Sequence, residues 1–152
     1  MTFGKQTEAQ SSSGIIVSTG AGSTGWLSSL INMANGITDA FGDSKPTRPS
    51  SISKMKGKFS IPPTQSIQQQ QLAWDTNHLV FVVREPFLSR TSKISISAGS
   101  IHKNEQLKIE SMMSQGGVIF SDGIETDFLS FNSGTIAEIG IAKEQAHLVT
   151  GF

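Results

Sequence analysis

LVFVVREPFLSRTSKISISAGSIHKNEQLKIE, residues 79–110, decides the fold class. Its first six residues, Leu79–Arg84, form a continuous apolar run closed by an arginine. KISIS (93–97) and LKIE (107–110) then alternate apolar with polar residues, the period-two pattern of a half-buried strand. The pattern continues through GVIFS (117–121), TDFLSF (126–131), TIAEIGI (135–141) and AHLV (146–149). Asp122-Gly123, between two of these runs, is a hairpin signal. Upstream, the β-branched run of Gly14–Ser18 adds one more strand. About eight short strands at spacings of roughly 8–12 residues predict a mostly-β, antiparallel sandwich-like domain.

One helix is expected. TGWLSSLINMA (24–34) sets Trp26, Leu27, Leu30, Ile31 and Met33/Ala34 at helical spacing, and Asn35-Gly36 reads as its stop. Between 38 and 75 the periodicity fades. That stretch holds Pro46, Pro49, Pro62 and Pro63, a basic cluster (Lys45, Arg48, Lys54, Lys56, Lys58) and a glutamine run at 68–71. It reads as a long, mobile excursion with little regular structure. The basic cluster suits a solvated loop or a phosphate contact.

The chain of 152 residues is long enough for one domain with a real core, spanning 1–152. Its 12 basic and 12 acidic residues cancel, which gives no general electrostatic reason to bind nucleic acid or an anionic membrane. It contains no apolar run of about 18 residues to span a bilayer. MTFGKQTEAQ at the start is too polar for a signal peptide. The absence of cysteine excludes disulfides and thiolate metal sites and fits a cytoplasmic protein.

The chemistry concentrates in residues 12–26, SSGIIVSTGAGSTGW. A strand feeds a loop in which Gly20, Gly22 and Gly25 alternate with Ser18, Thr19, Ser23 and Thr24, and a helix follows. Glycines admit close backbone approach, hydroxyls donate and accept, and a helix start adds unpaired N–H groups. The combination suits a polar, nucleotide-like ligand. The same glycines also suit a plain strand-to-helix turn. Without a lysine, the loop is not the GxxxxGK[ST] phosphate loop.

This segment resembles the nucleotide-binding loop of the NAD kinase family, Asp/Ser-Gly-x-x-x-Ser-Thr-x-x-Gly-Ser/Thr-Thr-Ala-Tyr. Ser13 stands where many members have Asp, Gly20 replaces a Pro, and Gly25-Trp26 replaces Ala-Tyr. The Gly-Ala-Gly-Ser form, VVREPFLSR at 82–90 and Ser-Asp-Gly at 121–123 look closer to the mitochondrial-type enzymes and their bacterial relatives. The likeness runs from about residue 8 onward.

The resemblance implies that Ser18, Thr19, Gly22, Ser23, Thr24, Gly25, Trp26 and Asp122 line a dinucleotide site. Trp26 then forms an aromatic wall in place of Tyr; its alternative is a core aromatic. Asp122 lies near the ligand or simply opens a tight turn. Arg84, Glu85 and Arg90 either support the pocket or a subunit interface, or form a salt-bridged strand end. His78, His102 and His147 are scattered, with no carboxylate at metal-ligand spacing.

The family's Gly-Gly-Asp-Gly motif does not occur in the sequence, nor does its Asn-Glu pair upstream of the glycine loop; the one Asn-Glu, Asn104-Glu105, lies among the expected strands. The resemblance therefore implies a C-terminal β domain without its N-terminal α/β kinase domain, and no catalytic residue in this chain. The intact protein would use ATP and Mg²⁺ to phosphorylate the 2′-hydroxyl of NAD, giving NADP, as a homo-oligomer. Two rivals stand beside it: a non-catalytic oligomerisation or binding module, and a domain of a lipid or sugar kinase from the same superfamily.

Overall fold

The computed structural model describes residues 1–41, 72–121, 124, 126–144 and 146. Its strands are β1 (Thr2–Phe3), β2 (Gln6–Thr7), β3 (Gly14–Ser18), β4 (Leu79–Arg84), β5 (Ala98–Ile101), β6 (Leu107–Glu110), β7 (Val118–Phe120), β8 (Phe128–Ser130) and β9 (Ile136–Ile139). The helix α1 (Trp26–Phe41) follows a 3-10 turn at Ala21–Thr24. All strand pairings are antiparallel, in three sheets ordered β2-β1-β6-β9, β3-β4-β5 and β7-β8. Among the described residues the fold is mostly β with a single α-helix, as the alternating runs predict.

Phe81, Ile101 and Leu107 are fully buried, and with Ile96 they form the core. Ile15, Val17 and Leu79 from the three-stranded sheet and Phe3, Ile109 and Ile139 from the four-stranded sheet pack against that cluster. Two sheets thus share one apolar layer. Phe3 meets Phe81 edge-to-face, with ring centroids 5.0 Å apart. Truncating a buried side chain of this size costs about 3–5 kcal/mol, so Phe81→Ala is among the most damaging single changes available.

β4 is central in its sheet and reads as an unbroken apolar run because both its faces are covered. Phe81 and Val83 point into the core, while Val80 and Val82 are half-buried on the other face. Arg84, which shares that second face, lies over Trp26 of α1 and so marks the helix side of the sheet. Leu27 is the buried residue of α1.

Four findings differ from the sequence reading. A two-residue hairpin, β1–β2, precedes everything expected; its strands are too short for periodicity to register, and Gly4 supplies the positive φ (+58°) that the turn needs. KISIS is not a strand. Ile96 enters the core, but the N–H groups of Ser95 and Ile96 donate to the Glu8 carboxylate (3.1 and 2.9 Å), and Lys93 N–H to Ala9 O (2.8 Å). The ladder resumes at β5. The helix also runs through Asn35-Gly36 to Phe41, because the apolar spacing continues with Ile37 and Phe41 and Gly36 keeps a negative φ. Regular structure therefore extends into the segment expected to be irregular from residue 38. Residues 42–71 of that excursion lie outside the described residues, as do Asp122-Gly123, where a hairpin turn is expected, and all of AHLV except Ala146.

Candidate functional site

The glycine-rich loop folds on itself. Gly22 N–H donates to Thr19 Oγ1 at 3.0 Å, and the Ser23 hydroxyl and N–H both donate to Gly20 O (2.7 and 3.2 Å). Ser18 Oγ donates to Thr19 O at 2.9 Å, and Gly25 N–H to Gly22 O at 3.1 Å. Ser18 and Ser23 are buried. Their hydroxyls shape the loop rather than face outward. Gly25 closes the 3-10 turn at φ −82°, ψ −132°, which is not a helical conformation.

The outward groups are at the helix start. Thr24 and Trp26 are exposed, and neither the Thr24 hydroxyl nor the Trp26 indole N–H has a hydrogen-bond partner among the described residues. Trp26 is 51% exposed, so it is not a core residue. The Arg84 guanidinium sits 4.7 Å from the centre of its ring, and Phe120 of β7 approaches at 6.5 Å between centroids. Arg84 is therefore a cation stacked on an aromatic rather than a salt-bridged strand end; the ion pair seen among the described residues is Lys108–Glu138 at 3.1 Å. Glu85, at φ +46°, instead accepts a hydrogen bond from the Ser13 hydroxyl.

Gly20 holds the loop against the Ala73–Thr76 turn. A Cβ on Gly20 would lie 2.0 Å from Ala73 O. This contact was not legible because residues 20 and 73 are far apart in sequence. In sequence Arg84 suits either a supporting role or a salt-bridged strand end, and Phe120 carries no signal of its contact with Trp26. The three histidines are scattered along the chain, yet the His78 and His102 rings lie 5.0 Å apart. Asp122 lies outside the described residues, so the structure places seven of the eight candidate positions on one loop and helix start.

Among the described residues no group of three or more His, Cys, Asp or Glu side chains converges to hold a metal, and no helix is long and apolar enough to cross a membrane. No family model, no curated protein and no solved structure matches the chain.

Proposed function

We propose that this chain is the dinucleotide-binding β domain of an NAD kinase-like protein. The observation that carries the proposal is the half-exposed Trp26 ring, capped by Arg84 and set beside the exposed Thr24 at the junction of strand, loop and helix. An exposed indole offers a flat apolar face to a nucleobase or nicotinamide ring. The guanidinium beside it is a cation of the geometry that phosphate prefers. Thr24 and the indole N–H supply hydrogen bonds that the loop does not use itself. Thr19, exposed, keeps its hydroxyl hydrogen available while accepting from Gly22.

Phosphoryl transfer depends chiefly on positioning and charge neutralisation. In the intact protein, ATP and Mg²⁺ would supply the transferred group and part of that neutralisation. The part assigned to these residues is to seat NAD with its 2′-hydroxyl presented to an N-terminal α/β domain. No Gly-Gly-Asp-Gly segment is present, so the chain alone is expected to form no NADP.

Calorimetric titration with NAD tests the proposal. Wild type is expected to bind, and Trp26→Ala and Thr24→Val to weaken binding with only modest shifts in melting temperature. Failure of folded wild type to bind NAD overturns it. A second reading, a homo-oligomerising module, is favoured by the exposed apolar residues of β7, β8 and the helix end, including Phe120, Phe128, Leu129, Ile37 and Phe41. Molecular mass in solution with and without NAD distinguishes assembly from simple ligand binding.

A further inference from the structure

His78 and His102 stand opposite one another across the β4–β5 ladder. The last paired residues there are Leu79 and Ile101, and the two histidines occupy the next step outward. Directly opposed side chains on neighbouring antiparallel strands start with Cβ atoms about 4.5–5.5 Å apart, and so reach the same point in space. The imidazole rings are tilted by 41°, with centroids 5.0 Å apart.

We propose that these two imidazoles form a binding site for one divalent transition-metal ion. Two imidazole nitrogens bound to one ion at about 2.0–2.1 Å, with a near-tetrahedral angle between them, put the ring centres about 5 Å apart. The observed centroid separation of 5.0 Å matches that spacing. Both ends are already fixed. His102 N–H donates to Glu105 Oε2 at 2.9 Å, and Glu105 N–H returns to His102 O at 3.0 Å, closing a turn that carries Asn104 at φ +70°. On the other strand, the Thr76 N–H to Ala73 O bond (3.0 Å) sets the turn from which His78 enters the sheet. His102 is exposed and His78 half-buried, so an ion can reach the pair from solvent and complete its coordination with water.

A two-nitrogen site selects by ligand type. Imidazole suits Cu²⁺, Ni²⁺ and Zn²⁺, whereas Mg²⁺ and Ca²⁺ demand oxygen ligands. The site is therefore distinct in chemistry from the Mg²⁺ that accompanies ATP.

Isothermal titration of the full chain with Ni²⁺ decides the matter. One equivalent is expected to bind, with no response to Mg²⁺. His78→Asn and His102→Asn should each weaken Ni²⁺ binding by about tenfold or more, as loss of a ligand must at least match the 10–100-fold cost of an outer-sphere change. His147→Asn should bind as wild type. Melting curves for each variant confirm that the fold is retained. Wild-type affinity in both His78→Asn and His102→Asn overturns the proposal, as does loss of binding in His147→Asn alone.

Discussion

Glu8 Oε1 accepts the backbone N–H of Ile96 at 2.9 Å, joining residues 88 positions apart. The other carboxylate oxygen takes Ser95 N–H at 3.1 Å, and the Gln10 side chain donates both to this carboxylate and to Ile96 O (2.8 Å). Burial pushes the Glu8 carboxyl up, but the hydrogen bonds from Ile96, Gln10 and Ser95 outweigh it and hold its pKa below the ordinary 4.5. Since the folded pKa is depressed, the stabilisation is fully present above 4.5 and is lost as pH falls through the lower folded value.

Glu8→Ala should therefore destabilise the domain by about 1–3 kcal/mol at neutral pH, because the buried Ile96 N–H loses its acceptor. The gap in urea midpoint between wild type and Glu8→Ala should narrow as pH is lowered from 7 into the acidic range. A gap that stays constant with pH would show that the carboxylate charge has no part in it.

That clasp also marks the limit of what the sequence revealed. Leu79–Arg84 and Leu107–Glu110 have the same bounds in sequence and structure, because their side-chain patterns report sheet faces directly. KISIS alternates just as cleanly, yet its periodicity reports only that Ile96 is buried; the backbone partner is a carboxylate outside any local pattern. The glycine loop and the helix after it were legible for similar local reasons. The stacking of Arg84 on Trp26, the seat of Gly20 on Ala73 and the meeting of His78 with His102 all depend on strand register, which no local signal carries.

Gly36 lies inside α1 with a negative φ, and a Cβ there would meet nothing within 4 Å. Gly36→Ala should raise stability by about 0.5–1 kcal/mol through helix propensity and reduced unfolded-state entropy. A lowered denaturation midpoint would mean that the helix stops at Asn35-Gly36, as the sequence alone suggests.

Trp26 and Arg84 should be energetically coupled. A double-mutant cycle with Trp26→Ala and Arg84→Ala is expected to give about 0.5–1 kcal/mol between them, the value of an exposed cation–π contact. Each single change should shift stability only modestly, since the indole is half exposed. Denaturation of the four proteins side by side measures the coupling, and a value near zero removes the stacked pair that the proposed ligand surface relies on.

Gly20 should respond in the opposite sense from Gly36. An added Cβ would approach Ala73 O to 2.0 Å and Thr76 Cβ to 3.2 Å, and the obstacle is backbone rather than a flexible side-chain end. Ala73 O cannot retreat cheaply, because it accepts both the N–H (3.0 Å) and the hydroxyl of Thr76. The loop cannot easily withdraw either, since Gly20 O receives both donors of buried Ser23. Gly20→Ala is therefore expected to destabilise by about 1–3 kcal/mol, the usual cost of overpacking. Gly20 has no positive φ, so the loss would come from the clash rather than from a forbidden backbone conformation. Chemical denaturation compares the two alanine variants directly. Opposite signs at positions 20 and 36 are the expected result; an unperturbed Gly20→Ala would show that the Ala73–Thr76 turn does not pack on the loop, leaving the helix start to position Thr24 and Trp26 without that support.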